Sequence, residues 1–262
     1  ISSKAKPFVR RVFRPIQPVP LASKDQYLEI FRLGQDNLNR DVEQVEARMG
    51  HSVDNDWLDE LALRTQVVKK KSPPNWNHGK LLYSLLRHYI DQTEHQFICC
   101  FETGTARGFS ALVQSRALAD ANRPGLVFTV DVLTHDEKRF WNCIADHEGP
   151  MSRQELLAPW NADLERIVFV SQDSEKFLEQ VFLPRIHFAF LDGSHDAGTL
   201  GNEFNYVAER QQSADIILLD DCTERQFPDI CRFVEALKLE GHYTVDFLQS
   251  DPKRGYAICR RN

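Results

Sequence analysis

The sequence predicts an open α/β fold, in which a mostly parallel sheet ends in an antiparallel hairpin and carries helices on both faces. From residue 96 onward, strand-like apolar runs alternate with helical patterns, which is typical of βαβ units and a parallel sheet. Two later β-rich runs, 243–248 and 256–260, are joined by a link too short for a crossover helix. These two runs must therefore pair antiparallel.

The elements of the predicted sheet region follow one another over residues 77–262. Residues 77–90 are expected to form a helix, because leucines recur on one face at helical spacing. Strands are expected at 96–102, 126–131, 167–170, 186–191, 214–219, 243–248 and 256–260. Helices are expected at 108–121, 174–181, 197–212 and 226–239. The irregular stretch 132–166 carries two tryptophans and is expected to be an ordered lid or a substrate wall.

The first 76 residues are expected to form a separate N-terminal arm and helical cap. Four prolines interrupt residues 1–23 and predict an extended arm, whereas apolar residues recur at helical spacing from Asp25 to about Val68. Five cations in the arm could contact a phosphate-bearing partner, although a solvated terminus is the simpler explanation. The helices are also candidate contacts of a homo-oligomer.

The composition of the chain limits which cellular compartment and which binding partners are expected. A chain of 262 residues that is 42% hydrophobic can bury a full core. Its net charge of −6 does not favour nucleic acid, and no segment approaches the ~18 consecutive apolar residues that span a bilayer. The six cysteines have no CxxC spacing and lie mostly in apolar runs, which predicts free thiols in a reducing, cytoplasmic protein.

A turn flanked by glycines follows the first predicted strand, in the segment ETGTARGFS. Gly104 and Gly108 would let the backbone approach a ligand, and the next helix would present free N–H groups. The spacing differs from the G-x-G-x-x-G of dinucleotide sites. Glu102 would repel a pyrophosphate but would suit the ammonium of a cofactor that carries an amino acid. An ordinary tight strand-to-helix turn is the alternative interpretation.

Acidic residues end the following strands too. Asp131 ends the second strand, where a carboxylate can accept both ribose hydroxyls. Asp173 follows the third strand, although it could simply cap the next helix. Asp192 in LDGSH and the Asp220–Asp221 pair in ILLDD follow two later strands. Because ligands collect at the carboxyl ends of parallel strands, these residues predict a site for a nucleotide-like cofactor and a cation.

Three converging carboxylates repel one another unless a cation neutralises them. Oxygen ligands favour Mg²⁺ or Ca²⁺ over zinc, and bound Mg²⁺ keeps waters that a substrate hydroxyl can displace. The metal would lower the pKa of that hydroxyl, and His195 could remove its proton. Alternatively, Asp220 and Asp221 cap a helix or lie solvated at a turn, and His195 orients its loop. His78 is expected to be a residue at the start of a helix rather than a ligand.

Together these residues resemble the class I S-adenosylmethionine-dependent methyltransferases. The pattern Glu102-x-Gly104-x-x-x-Gly108 matches the family's first motif, and the antiparallel end hairpin is the family's topological mark. The resemblance covers roughly residues 78–262. It implies a Rossmann-like sheet, with Asp131 as the ribose-binding acid and Asp173 at the adenine amino group. The implied cofactor-binding residues are Glu102, Gly104, Thr105, Gly108, Ser110, Asp131, Asp173 and Ser174.

Within that family, LDGSH together with ILLDD is similar to metal-assisted small-molecule O-methyltransferases, and closest to the macrolide-sugar and cephalosporin-hydroxylase-like group. The similarity places Asp192, Asp220 and Asp221 at the metal positions. It makes His195 the catalytic base and Asp192 a second catalytic residue.

The chain departs from the pattern of that group in three places. It has Ala197 for Tyr, Glu203 for Asp, and no Pro-Gly-Gly before the fifth strand. The departures concern substrate contacts more than the cofactor site.

The resemblance thus implies an enzyme that methylates a hydroxyl of a small molecule, such as a sugar or a natural-product scaffold, with S-adenosylmethionine and Mg²⁺. Neither nucleic acid nor a membrane is expected as a partner. The alternatives are a metal-independent methyltransferase that uses His195 as its base, a nicotinamide-dependent oxidoreductase, and a non-catalytic cofactor-binding homologue.

Overall fold

The computed structural model describes residues 20–194, 196–251 and 254–262. Most of the expected N-terminal arm, and the expected base His195, therefore lie outside the described residues.

The structure confirms a sheet of seven strands in the order β3-β2-β1-β4-β5-β7-β6. Strands β1 to β5 are parallel, whereas β7 runs antiparallel to both β5 and β6, as the short link between the last two runs predicted. The strands are β1 (Ile98–Thr103), β2 (Gly125–Asp131), β3 (Ile167–Ser171), β4 (Phe188–Leu191), β5 (Ile216–Leu219), β6 (Tyr243–Asp251) and β7 (Arg254–Arg261).

Helices cover both faces of the sheet, and their ends follow from local sequence. Ser23 and Gln26 form a capping box at the start of α1, and Gly50 ends α2 in the left-handed conformation. The helices are α1 (Lys24–Gln35), α2 (Arg40–Met49), α3 (Asn55–Thr65), α4 (Asn77–Asp91), α5 (Phe109–Asp120), α6 (Arg153–Leu157), α7 (Asn161–Leu164), α8 (Ser174–Gln180), α9 (Ala197–Ala208) and α10 (Pro228–Glu240). No helix of the described residues is long and apolar enough to cross a membrane.

The two faces of the sheet bury two apolar clusters, because successive strand residues point to opposite sides. Along β4, Phe188 and Phe190 belong to one cluster, whereas Ala189 and Leu191 belong to the other. The first cluster also contains residues of α1 to α5, and the second those of α8 to α10. The N-terminal helices thus share a core with the sheet, and the boundary expected between residues 76 and 77 stays a prediction.

The segment 132–166 is more structured than expected. It contains α6, α7 and two short 3-10 turns, and both its tryptophans are buried in the first apolar cluster. It is therefore a packed wall of the fold, held by the burial of its aromatic side chains.

Candidate active site

A cavity of about 1270 Å³ opens at the carboxyl ends of β1, β4 and β5. Three groups of residues line it: the turn after β1, the acids after β4 and β5, and two loops of the N-terminal helical region. The predicted site residues that it brings together are Gly104, Thr105, Ser110, Asp192, Asp220 and Asp221.

The two glycines of the turn are required by the packing of the protein itself. Gly104 has φ +89°, and a Cβ atom there would overlap the carbonyl oxygen of Asp192. Gly108 has φ +90° and lies against the side chain of Leu157. Ala106 between them also has a positive φ, of 46°. Because such backbone conformations persist only where the surroundings impose them, the turn after β1 is held in one shape beside the acids.

Glu102 is not among the residues that line the cavity, and its expected contact with an ammonium group stays a prediction. Its side chain is fully buried beneath the turn, where one carboxylate oxygen accepts from Gln114 Nε2 at 2.6 Å and the other from Thr129 Oγ1 at 2.6 Å. Burial raises the pKa of Glu102 to about 7, although hydrogen bonds from Thr129, Ser110 and Gln114 oppose the rise. Glu102 therefore supports the turn from below.

Asp131 also supports the turn. Its two carboxylate oxygens accept the backbone N–H groups of Ala106 at 2.7 Å and Leu133 at 2.8 Å. It does not line the cavity, yet it fixes Ala106, which does. A carboxylate keeps further lone pairs after two such bonds, so the expected ribose contact stays a prediction.

Asp173 and Ser174 lie away from the cavity. Asp173 is the N-cap of α8 and accepts from the backbone N–H of Lys176, so the helix-capping alternative describes what the structure shows. Ser174 is the first residue of α8 and lies near the buried carboxylate of Glu203, which accepts from Thr103 Oγ1 at 2.9 Å. The adenine contact expected at this point is not tested by these bonds and stays a prediction.

The three acids after β4 and β5 meet at one end of the cavity. Burial, together with the charges of Asp220 and Asp221, holds the pKa of Asp192 well above its usual range. Asp221 has φ +59°, an unusual conformation for a residue with a side chain, and donates its backbone N–H to Asp220 at 2.7 Å. The proximity of these carboxylates agrees with the prediction from the sequence.

Arg254 neutralises part of this negative charge, which the sequence did not indicate. Its guanidinium lies 3.4 Å from Asp220 Oδ2 and 3.8 Å from Asp221 Oδ1. Among the described residues, no group of three His, Cys, Asp or Glu side chains is arranged to hold a metal ion. The oxygen donors suit Mg²⁺ chemically, but in this arrangement the positive charge beside them is a guanidinium.

Further cavity residues were not singled out as site residues. His78, the second residue of α4, is buried, stacks on Phe190 and lines the cavity. Burial, with the charges of Arg254 and Lys70, lowers the pKa of His78 to about 3, so this imidazole is neutral near pH 7. The sequence placed His78 correctly at a helix start, but its place at the site depends on how α4 packs on the sheet.

The segment 132–166 reaches the turn through two arginines. Arg153 donates from Nε to the carbonyl oxygen of Ala106 at 2.9 Å, and its guanidinium lies over the rings of Trp141 and Phe169. In return, Arg107 donates from Nε to the carbonyl oxygen of Trp141 at 2.6 Å. The segment therefore braces the turn, whereas the N-terminal loops line the cavity directly.

Residues 101–222 match the model of a family described as a methyltransferase domain. The matched range begins within β1 and ends just after Asp221, so it includes the whole glycine turn and all three acids of the cavity. This part of the chain has the class I methyltransferase fold. No curated protein is significantly similar to the chain.

Solved structures agree with this methyltransferase fold. The O-methyltransferase TomG from Streptomyces achromogenes, in complex with S-adenosylmethionine, is 17% identical with a TM-score of 0.54, covering 80% of this chain and 92% of TomG. An O-methyltransferase from Bacillus cereus, in complex with S-adenosylhomocysteine, is 15% identical with a TM-score of 0.53, covering 90% and 100%. At these identities the likeness concerns the fold of the methyltransferase domain.

Proposed function

We propose that this methyltransferase uses S-adenosylmethionine to methylate a hydroxyl group of a small molecule. The observation that carries the proposal is that the glycine turn and the three acids line one cavity. Its volume of about 1270 Å³ exceeds the roughly 300–1,000 Å³ of a typical small-molecule site. A cofactor and an acceptor could therefore occupy it together.

The residues of the turn suit the cofactor. The first residues of α5, Phe109 and Ser110, line the cavity where the N-terminus of a helix has free backbone N–H groups, and Ser110 adds a hydroxyl. These donors would hold the carboxylate end of the cofactor, while the nearby acids favour its positive charge. When bound, the cofactor supplies an electrophilic methyl group. The remaining work of the chain is to position the acceptor oxygen in line with that methyl group.

Asp192 is the residue proposed to act on the acceptor hydroxyl. Asp192 lines the cavity, and its raised pKa makes the ionised carboxylate a stronger base than an ordinary aspartate, so in that form Asp192 would accept the hydroxyl proton. Neutral His78 lies on the same cavity wall and can accept or donate one hydrogen bond to the acceptor. The base role of His195 stays a prediction.

Two mechanisms are proposed, one that requires a metal ion and one that does not. Asp192, Asp220 and Asp221 would hold Mg²⁺, and the ion would supply Lewis-acid activation of the hydroxyl there. The ion pairs of Arg254 with Asp220 and Asp221 favour the metal-independent alternative, in which the guanidinium supplies the compensating charge. Turnover that survives EDTA would support this alternative, whereas turnover that is lost and then restored by Mg²⁺ would support metal assistance.

Calorimetry with S-adenosylmethionine, S-adenosylhomocysteine and NAD tests the proposal. We expect both sulfur compounds to bind the full chain with one-to-one stoichiometry, and NAD not to bind. Methyl transfer to a panel of hydroxyl compounds should fall at least about 100-fold in Asp192→Asn, the size expected for losing a general base, while S-adenosylhomocysteine still binds. Binding of NAD alone would contradict the proposal. If the chain binds the cofactor but Asp192→Asn still functions in the producing cell, the protein is a non-catalytic homologue.

The finer expectations from the sequence remain proposals. A sugar or another natural-product scaffold is the proposed acceptor, because the cavity is large and polar on the acceptor side. The cytoplasmic location rests on the free thiols: Cys99, Cys100, Cys143, Cys222, Cys231 and Cys259 are all buried and unpaired by disulfides. Oligomerisation through the N-terminal helices, and the absence of a nucleic-acid or membrane partner, likewise stay predictions.

A further inference from the structure

Positive side chains line much of the cavity. Six cations line it against the three acids Asp192, Asp220 and Asp221, which leaves a formal excess of positive charge in a chain whose net charge is −6. The cations come from both walls of the cavity: Arg40, Lys70, Lys71, Arg107, Arg225 and Arg254.

Among the described residues, two of these cations form a hydrogen bond or an ion pair through their side chains. Arg254 pairs with Asp220 and Asp221, and Arg107 donates to the carbonyl oxygen of Trp141. The other four are solvent-accessible, and within the described part of the chain their side chains form no hydrogen bond or ion pair. These four are Arg40, Lys70, Lys71 and Arg225.

Lys70 and Lys71 face the acids from the loop between α3 and α4, whereas Arg225 lies on the loop between β5 and α10. Burial is the largest cause that lowers the pKa of Lys70, and the positive charges of Arg254 and Arg107 lower it further. Asp220 and Asp192 oppose this lowering for Lys70, whereas Lys71 and Arg225 form no ion pair with any residue that the structure describes.

The proposed cofactor makes this excess larger. S-adenosylmethionine carries a sulfonium and an ammonium group against a single carboxylate, so it adds positive charge when it binds. A neutral acceptor would leave all of that charge uncompensated, and a single carboxylate would offset little of it. A phosphate or diphosphate group carries more charge, and its oxygens match the fork of an arginine.

We propose that the methyl acceptor carries a phosphate or diphosphate group, which Lys70, Lys71 and Arg225 bind while the acceptor hydroxyl lies at Asp192. The proposal rests on the methyltransferase function proposed above and names the substrate class of that site. It also makes the anion and the cofactor cooperative. The anion should raise the affinity for cationic S-adenosylmethionine more than that for S-adenosylhomocysteine, which lacks the sulfonium charge.

Inorganic pyrophosphate is the probe that tests this anion site, measured by calorimetry on the full chain. We expect saturable binding that weakens with salt, and that weakens about tenfold in the double variant Lys70→Gln/Lys71→Gln and in Arg225→Gln, as expected for losing charge-assisted hydrogen bonds. Lys69→Gln is the matched control: Lys69 is the neighbour in the same basic run, but it donates to the carbonyl oxygen of Leu21 and does not line the cavity. It should bind pyrophosphate as the wild type does.

The other outcomes separate the two proposals. Equal weakening in Lys69→Gln would show diffuse charge attraction and overturn the anion site. Malonate binding as tightly as pyrophosphate would overturn the phosphate assignment. S-adenosylhomocysteine binding without any pyrophosphate binding would overturn the anion site and leave the methyltransferase function in place. Pyrophosphate binding without S-adenosylhomocysteine binding would support the anion site and contradict the function proposed for the cavity.

Discussion

Glu102 shows how one buried residue couples the site to pH. Gln114 donates to its carboxylate through Nε2, while the Oε1 atom of Gln114 is buried with no hydrogen-bond partner among the described residues. If the Gln114 amide were turned over, Oε1 would face a protonated Glu102, which could donate to it. A pKa of about 7 means that this protonated form is well populated near neutral pH.

The first prediction concerns the pH dependence of stability. The pKa of Glu102 is raised from 4.5 to about 7 in the folded state, so the folded protein binds the proton more tightly than the unfolded chain. The stability that this proton contributes is fully present below about pH 4.5 and is lost as the pH rises through 7. Wild-type protein should lose about 3 kcal/mol between pH 4 and pH 8 relative to Glu102→Gln, measured by urea unfolding.

The control for this prediction is Glu43→Gln, which removes an exposed acid on α2 and should leave the wild-type pH profile unchanged. Parallel profiles for the wild type and Glu102→Gln would show that Glu102 is ionised throughout, and would contradict the interpretation of its burial.

The second prediction concerns Arg254. Arg254→Gln leaves Asp220, which is 5% exposed, beside Asp221 and Asp192 without their guanidinium partner. The variant should lose about 1–3 kcal/mol of stability, because a buried carboxylate that loses an ion-pair partner is costly. It should regain much of that loss when Mg²⁺ is added, since a cation would again face oxygen ligands.

Arg232→Gln provides the matched control for Arg254→Gln. Arg232 pairs with Asp229 at the exposed surface of α10, where an ion pair contributes about 0–1 kcal/mol. If Arg254→Gln were no more destabilising than Arg232→Gln, the charge balance assigned to Arg254 would be wrong.

At the scale of elements, the turn from β1 to α5 is where the acids and the cofactor side of the cavity touch. The carbonyl oxygen of Asp192, at the end of β4, packs directly against Gly104. The glycine pattern predicted a turn that approaches a ligand, yet the closest group to Gly104 is protein backbone. A sequence shows that a position needs glycine, whereas the atom that fills the space depends on which strands are neighbours.

The third prediction compares two glycines. Gly104→Ala combines a positive φ with overlap on the carbonyl oxygen of Asp192, while Gly50→Ala has φ +75° with no atom within 4 Å of the new Cβ. Gly50→Ala should cost about 1–2 kcal/mol for its conformation alone. Gly104→Ala should cost about 1–3 kcal/mol more, because backbone must move, and should weaken S-adenosylhomocysteine binding.

Thermal and urea unfolding of both glycine variants check this comparison. Equal costs at the two positions would mean that the contact between the turn and β4 is easily relaxed, which would contradict its role in holding the turn beside the acids.

The cations of the cavity could not be predicted from the sequence, for a similar reason. Arg254 opens β7, and its approach to Asp220 follows from the pairing of β5 with β7. Lys70 lies in a run of three lysines before a Pro-Pro pair, and the sequence predicted no role at the site for it. Residues far apart in sequence converge only once the sheet order and the packing of α4 are known.

At the scale of the whole molecule, the alternating pattern predicted the sheet closely. All seven strands lie where apolar runs predicted them, since a strand buried on both faces is a short continuous apolar run. The N-terminal helices were predicted, but their part in the cavity was not. Their apolar faces indicate only that they pack on something, and the loops between them form the wall opposite the acids.

The central claim is that the glycine turn and the acids form one cofactor-and-acceptor cavity. A crystal structure of the full chain soaked with S-adenosylhomocysteine and Mg²⁺ tests it most directly. We predict density for the amino-acid end of S-adenosylhomocysteine against Gly104, Thr105 and Ser110, with its sulfur directed toward Asp192. Density for S-adenosylhomocysteine elsewhere on the chain, with this cavity filled only by solvent, would contradict the account.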